Sequence, residues 1–218
     1  MIEMPDEPSL KLFPGTLPIF PLLGVLLLPR GRLPLHIFEP RYVAMVEDCL
    51  TGDPMIGMVQ PVSSDALAVY ATGCAGSITA ARSLDDGRYL VTLTGVCRFR
   101  IEKELEPHHG YRRVVPVWAE FRDDLLDEGG GCFDRDRLLS VLPCYLKLND
   151  IAANWETIKG APDERLVTSL AMICPFESNE KQALLEAPTL AARARLLISL
   201  IEMALVTCQD GDRRYACH

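Results

Sequence analysis

The stretch LPIFPLLGVLLLPRGRLPLHIFEPRYVAMVEDCL, residues 17–50, sets the character of the N-terminal half of the chain. Its apolar runs at 17–20, 25–28 and 33–37 are short and are punctuated by Pro18, Pro21, Gly24, Pro29 and Pro34. Runs this short, bounded by proline and glycine, read as buried strands, because proline inside a helix costs ~3 kcal/mol. The pattern then changes. Pro40 falls where the first turn of a helix tolerates a missing N–H. Tyr42, Val43, Met45, Val46, Cys49 and Leu50 recur at helical spacing. Thr51-Gly52-Asp53-Pro54 closes that helix.

Strand patterning resumes downstream. Tyr89, Val91 and Leu93 alternate with Leu90, Thr92 and Thr94, and Asp85-Asp86-Gly87 precedes them as a turn. Residues 77–82 and 89–94 therefore read as a hairpin. Cys97, Phe99 and Ile101 alternate with Val96, Arg98 and Arg100, and Gly95 reads as a bulge or tight connection between two strands. Residues 114–121 read as a last strand, with Pro116 placing it near a sheet edge. Tyr89 and Phe99 sit among other apolar residues, as core rather than as a stacking platform for bases.

Acidic residues then lead into Gly129-Gly130-Gly131, a flexible connection. Everything beyond reads as helix. Asp134 is placed to N-cap a helix carrying Leu138, Leu139 and Leu142, which Pro143 kinks or ends. Asp163 precedes the 3.6-residue stripe Leu166, Val167, Leu170, Ala171 and Cys174, and Ser178 is placed to cap a short helix with Ala183, Leu184 and Leu185. Pro188 opens the last helix, with Leu190, Leu197, Leu200, Ile201, Ala204 and Leu205 inward and Arg193, Arg195 and Glu202 outward. The expected class is α+β: a β domain over 1–122, a linker over 123–133, a helical bundle over 134–208 and a frayed tail over 209–218.

Composition narrows the function. The 218 residues are 49% hydrophobic and 24% charged, the balance of a globular protein able to bury its own core. The net charge of −8 weighs against a broad electrostatic grip on nucleic acid. No run reaches the ~18 apolar residues of a membrane span. Glu3, Asp6 and Glu7 give the region before residue 17 the wrong sign for a secretory leader, so the expected compartment is the cytoplasm. The eight cysteines suit reduced structural thiols: there is no export signal and no pair at C-x₂₋₄-C spacing for zinc. His108 and His109 are adjacent, which on a strand sends their side chains apart.

Catalytic motifs are missing. Neither G-x-x-x-x-G-K-[ST] nor G-x-G-x-x-G occurs to cradle phosphate, and G-x-S-x-G is absent, Gly76-Ser77 lying in a strand pattern. The residues alone point to no catalytic group, no cofactor and no metal.

The stretch 17–50 resembles the start of the N-terminal domain of the Lon protease family, its Pro-Leu-x-Ile-Phe-Glu-Pro-Arg-Tyr run above all. Further matches follow in family order at 73–78, at DGRYLVTLTGVCRFRIEKE (86–104) and at SNEKQALLEAPTLAARARLLISLIE (178–202). The resemblance implies a PUA-like β-barrel with one helix, then a helical bundle, in the region that helps full-length Lon select protein substrates. ATPase and Ser–Lys peptidase domains follow that region in full-length Lon; these 218 residues carry no Walker motif. The implied role is a non-enzymatic module that binds unfolded or specific polypeptides. The alternative, borrowed from PUA domains, is nucleic-acid binding. Within the motif, Leu35, Ile37 and Phe38 are expected to fill the barrel, Tyr42 and Met45 to anchor the helix, and Glu39 and Arg41 to pair or cap backbone. The residues offered for a peptide surface are Leu26, Leu27 and Leu28, beside the 29–32 turn, with Trp118 and Phe121 on the last strand.

Overall fold

The period-2 and period-3.6 segments of the sequence separate in space. The computed structural model describes residues 13–63, 67–126 and 132–215, with side chains through Thr207. Readings that rest on Glu3, Asp6, Glu7, on Gly129, Gly130 and Gly131, and on the thiols of Cys208 and Cys217 lie outside the described residues. Strands β1 (Leu17–Pro21), β2 (Arg32–Ile37), β3 (Met55–Val59), β4 (Thr72–Ser83), β5 (Tyr89–His108) and β6 (Tyr111–Val117) come first, with helix α1 (Pro40–Thr51) between β2 and β3. Helices α2 (Arg135–Leu148), α3 (Trp155–Gly160), α4 (Asp163–Ile173), α5 (Ser178–Glu186) and α6 (Leu190–Tyr215) follow. The chain divides into two compact units, Met1–Glu128 and Gly129–His218.

The six strands form one mixed sheet in the order β2-β5-β4-β3-β1-β6, in which β1 and β3 run parallel and the other pairs antiparallel. Strand β5 serves twice. Its first part pairs with β2, from Tyr89 opposite Ile37 to Thr94 opposite Arg32. Its second part pairs with β6, from Arg100 opposite Val117 to His108 opposite Tyr111, so the hydrogen-bonded path β5-β4-β3-β1-β6 returns to β5. Inside lie Leu17, Ile19, Val59, Ala75, Cys97, Phe99, Val114 and Trp118. Tyr42, Met45, Val46 and Cys49 bury one face of α1.

Four expectations for this unit are corrected. Residues 25–28 form no strand: Leu26, Leu27 and Leu28 are 2%, 1% and 0% exposed, in a segment lying against the sheet. The glycines opposite one another on β4 and β5 make room for it. A Cβ on Gly76 would come within 2.7 Å of Leu27 Cδ2, and one on Gly95 within 2.0 Å of the Leu28 carbonyl oxygen. Of the two readings of Gly95, the bulge holds and the connection between strands does not. Gly95 exchanges hydrogen bonds with Gly31 and Arg30, each 2.8 Å, beside a shift in the β4–β5 register, and β5 runs on through it. Phe38 is 61% exposed rather than core, because it follows the buried Ile37 on the opposite face of the chain as β2 ends. The last strand stops at Val117. Residues Ala119–Leu125 turn into a 3-10 segment, and Asp124, assigned to the linker, is buried beside Arg98.

The described residues of the second unit form helices and the loops between them, with no strand. Helix α6 packs against α2, α4 and α5, and Leu138, Leu142, Leu166, Val167, Leu184, Leu197 and Ile201 are buried. Asp134 caps α2 by accepting from the Arg137 N–H at 2.9 Å. Pro143 lies inside α2 without ending it. Glu177, not Ser178, is the N-cap of α5, its own N–H bonded to Glu180 Oε2 at 2.9 Å. Arg193 is not outward. It is 7% exposed, and its Nε donates to the Leu184 carbonyl at 2.9 Å near the C-terminus of α5, where a cation meets the negative end of the helix. Helix α6 continues to Tyr215 through the expected tail, since each residue added to an existing helix gains a hydrogen bond.

Candidate functional site

Of the five residues offered for a peptide surface, Leu26, Leu27, Leu28 and Trp118 are buried and Phe121 is half-buried. Leu26, Leu27 and Leu28 belong to the core, where hydrophobic burial is worth more than display. Trp118 is 9% exposed, its ring 4.8 Å from Phe13 and 5.7 Å from Phe99, and its indole N–H points at the Pro14 carbonyl, 3.3 Å away. Phe121 is half-buried beneath the Arg98 guanidinium, 4.9 Å from its ring centroid.

Exposed apolar surface lies elsewhere on the same unit. Beyond Ile78, β4 leaves the core, and its residues from Thr79 to Ser83 are all exposed. That end of β4 pairs with the start of β5, and β5 with β2, so Ala81, Val91 and Leu35 lie side by side in one row and Arg82, Leu90 and His36 in the next. An open depression of about 580 Å³ is lined by Leu35, His36, Ala80, Ala81 and Leu90 among others. Leu90 is 41% exposed, and Phe38 stands just past β2 with its ring 5.9 Å from that of His36. Among the described residues, strand β2 is an edge of the sheet, paired with β5 and no other strand. Pro34 sits within it, the edge position a proline can occupy. Alternation marked these residues as strand; only the topology makes them an edge.

A polar cluster stands where α1 meets the β5–β6 turn. His108 and His109 do not diverge: their ring centroids are 4.0 Å apart. His109 and Gly110 both take positive φ, 47° and 83°, in a two-residue turn that brings both rings toward Asp48 in the last turn of α1. Tyr111 Oη donates to Asp48 Oδ2 at 2.8 Å, and this bond holds the carboxyl below its usual range. At the other end of the helix, Arg41 and Glu39 pair at 2.8 Å.

Residues 16–203 match the family model of the ATP-dependent protease La (LON) substrate-binding domain. The chain belongs to the Lon substrate-binding domain family. Lon protease 2 of Sorangium cellulosum is 26% identical over 198 residues, which cover 85% of this chain and 24% of that protein. Lon protease of Buchnera aphidicola is 24% identical over 211 residues, covering 91% of this chain and 26% of that protein. The chain thus spans about a quarter of the length of these relatives. Among solved structures, the Lon N-terminal domain protein from Xanthomonas campestris aligns with a TM-score of 0.61 at 22% identity, covering 84% of this chain and 97% of that one. The N-terminal domain of Mycobacterium avium complex Lon protease aligns with a TM-score of 0.60 at 14% identity, covering 86% and 98%. The fold is therefore the Lon N-terminal fold, a mixed sheet joined to helices. No helix among the described residues is long and apolar enough to cross a membrane.

Proposed function

We propose that this Lon-family chain is a non-enzymatic substrate-recognition module that holds short stretches of unfolded polypeptide against the exposed end of β2, β4 and β5. The observation that carries the reading is the match of residues 16–203 to a substrate-binding domain. The strand path that returns to β5 supports the reading of a PUA-like barrel. An extended peptide has two things to gain at this place. The outer edge of β2 offers backbone hydrogen bonds for strand addition, and Leu35, Phe38 and Leu90 offer apolar contact. Ordering each peptide residue costs ~1–2 kcal/mol of backbone entropy. Pro34 also removes one donor from the edge. Binding is accordingly micromolar or weaker for a single site, and selective for apolar stretches rather than for one sequence. The nucleic-acid reading draws no support from these relatives, and the net charge of −8 opposes it.

The test is chemical-shift mapping of the chain with a permanently unfolded model polypeptide. Shifts should gather on residues 33–38, 80–82 and 89–92, and Phe38→Asp with Leu90→Asp should abolish them while leaving the fold intact. Shifts confined to the helical unit, or RNA bound more tightly than peptide at physiological salt, would overturn the reading. The chain should turn over neither ATP nor casein.

A further inference from the structure

We infer that Asp48, His108 and His109 form a binding site for a divalent transition metal of borderline softness, zinc being the representative ion. Each residue offers one ligand atom, and the three atoms lie within 4.8 Å of one another. Asp48 Oδ2 is 2.8 Å from His109 Nδ1 and 3.8 Å from His108 Nε2. A tetrahedral zinc ion with bonds of ~2.0–2.2 Å spaces its ligand atoms about 3.3 Å apart. The gap between found and required spacing is the length of a small side-chain rotation, and the three side chains are 36–57% exposed.

Three features favour a metal over a plain hydrogen-bonded cluster. The ligand set is two imidazoles and one carboxylate, the donors that suit zinc, copper and nickel. Three protein ligands on the surface leave the fourth position to water, as in zinc sites that stay open. The carboxylate is already aimed. The hydroxyl of Tyr111, a residue only 4% exposed, donates to Asp48 Oδ2 at 2.8 Å, the outer-shell bond that fixes a ligating group. The turn contributes as well, since positive φ at His109 and Gly110 puts two consecutive rings on one side of the chain. A bound ion would tie the C-terminal turn of α1 to the β5–β6 turn, joining segments some sixty residues apart.

The chain has four histidines, and His36 stands on β2 outside this cluster, which makes the imidazole signals a direct readout. Zinc chloride is titrated into the untagged chain with Cys132, Cys144, Cys208 and Cys217 changed to serine, which removes as competitors the exposed thiols and the two outside the described residues. The expected result is one equivalent bound, a raised Tm, and ¹⁵N shifts at His108 and His109 while His36 stays in place. Asp48→Asn should weaken binding at least about tenfold, and the His108→Ala/His109→Ala pair should abolish both the binding and the Tm gain. Unmoved His108 and His109 signals at saturating zinc would overturn the inference in the unsubstituted cluster, however the variants fold. So would zinc affinity unchanged in the double variant.

Discussion

Arg98 and Asp124 make a bidentate ion pair sealed from solvent, each side chain 4% exposed. The guanidinium donates through Nε at 2.9 Å and through a terminal nitrogen at 2.7 Å, and the Arg98 backbone N–H reaches the same carboxylate at 2.8 Å. Burial works against the charged guanidinium most strongly, but the hydrogen bonds and charge of Asp124 outweigh it and hold Arg98 above its usual range. The pair fastens the segment after β6 across the middle of β5.

Asp124→Ala should therefore destabilise the β unit by about 3–5 kcal/mol, because it strands a buried charge. Replacing both residues with apolar ones of similar size should cost less than either single change. Urea unfolding followed by Trp118 fluorescence, with Trp155 changed to Phe, reports this unit alone. A loss below about 1 kcal/mol for Asp124→Ala would place the pair on the surface in solution.

Gly95→Ala should cost at or above the upper end of the ~1–3 kcal/mol typical of overpacking, since the obstruction 2.0 Å away is a backbone carbonyl that cannot swing aside. Gly15→Ala, with open space around the added methyl, should be close to neutral. Equal midpoints for the two variants would mean that the 25–28 segment does not lie against the sheet.

Burial pushes the thiols of Cys49, Cys97 and Cys174 up to about 12. In the unfolded chain the same groups ionise near pH ~8.5. Below that value both states keep the proton and stability does not depend on it. As pH rises from about 8.5 towards about 12 the unfolded chain releases protons that the folded chain holds, so stability must fall. Iodoacetamide at pH 8, read by peptide mass mapping, should modify the exposed Cys132 and Cys144 and spare Cys49, Cys74, Cys97 and Cys174. Rapid labelling of Cys97 in the native protein would contradict the core.

Arg193→Leu keeps the apolar stem and removes the donor to the Leu184 carbonyl, so it should destabilise the helical unit by about 1–3 kcal/mol. The loss should register at Trp155, on α3.

Regular patterns carried the fold from sequence to structure. The alternation through 89–94 and the turn at 85–87 specify the β4–β5 hairpin, the 42–50 spacing specifies α1, and stripes such as 166–174 specify helices. What escaped is what pattern cannot encode. Residues 25–28 are as apolar as any strand, yet they bury against two glycines instead of pairing. Arg98 and Arg193 sit in outward or polar positions of their patterns, and each is buried because a partner from another segment neutralises or accepts from it. Asp124 looked like part of a solvated acidic run for the same reason. The metal-ligating trio was hidden because adjacent histidines diverge in a regular strand, and only the left-handed turn at His109 reverses that. Phe38 and Leu90 were legible as apolar but not as exposed, since an edge is a property of sheet order.

Strand β1 is synthesised before either of its neighbours exists. Its parallel partner ends at Val59 and its antiparallel partner at Val117. A ribosome adding ~5–20 residues per second needs on the order of 5–20 s to make the intervening hundred or so residues. Until both partners are made, Leu17, Ile19 and Phe20, nearly sealed at the end, lack part of their cover against holdases and other nascent chains. A member of a substrate-binding domain family thus passes through its own synthesis with an uncovered apolar segment, and the strand that ends this exposure is the last strand translated.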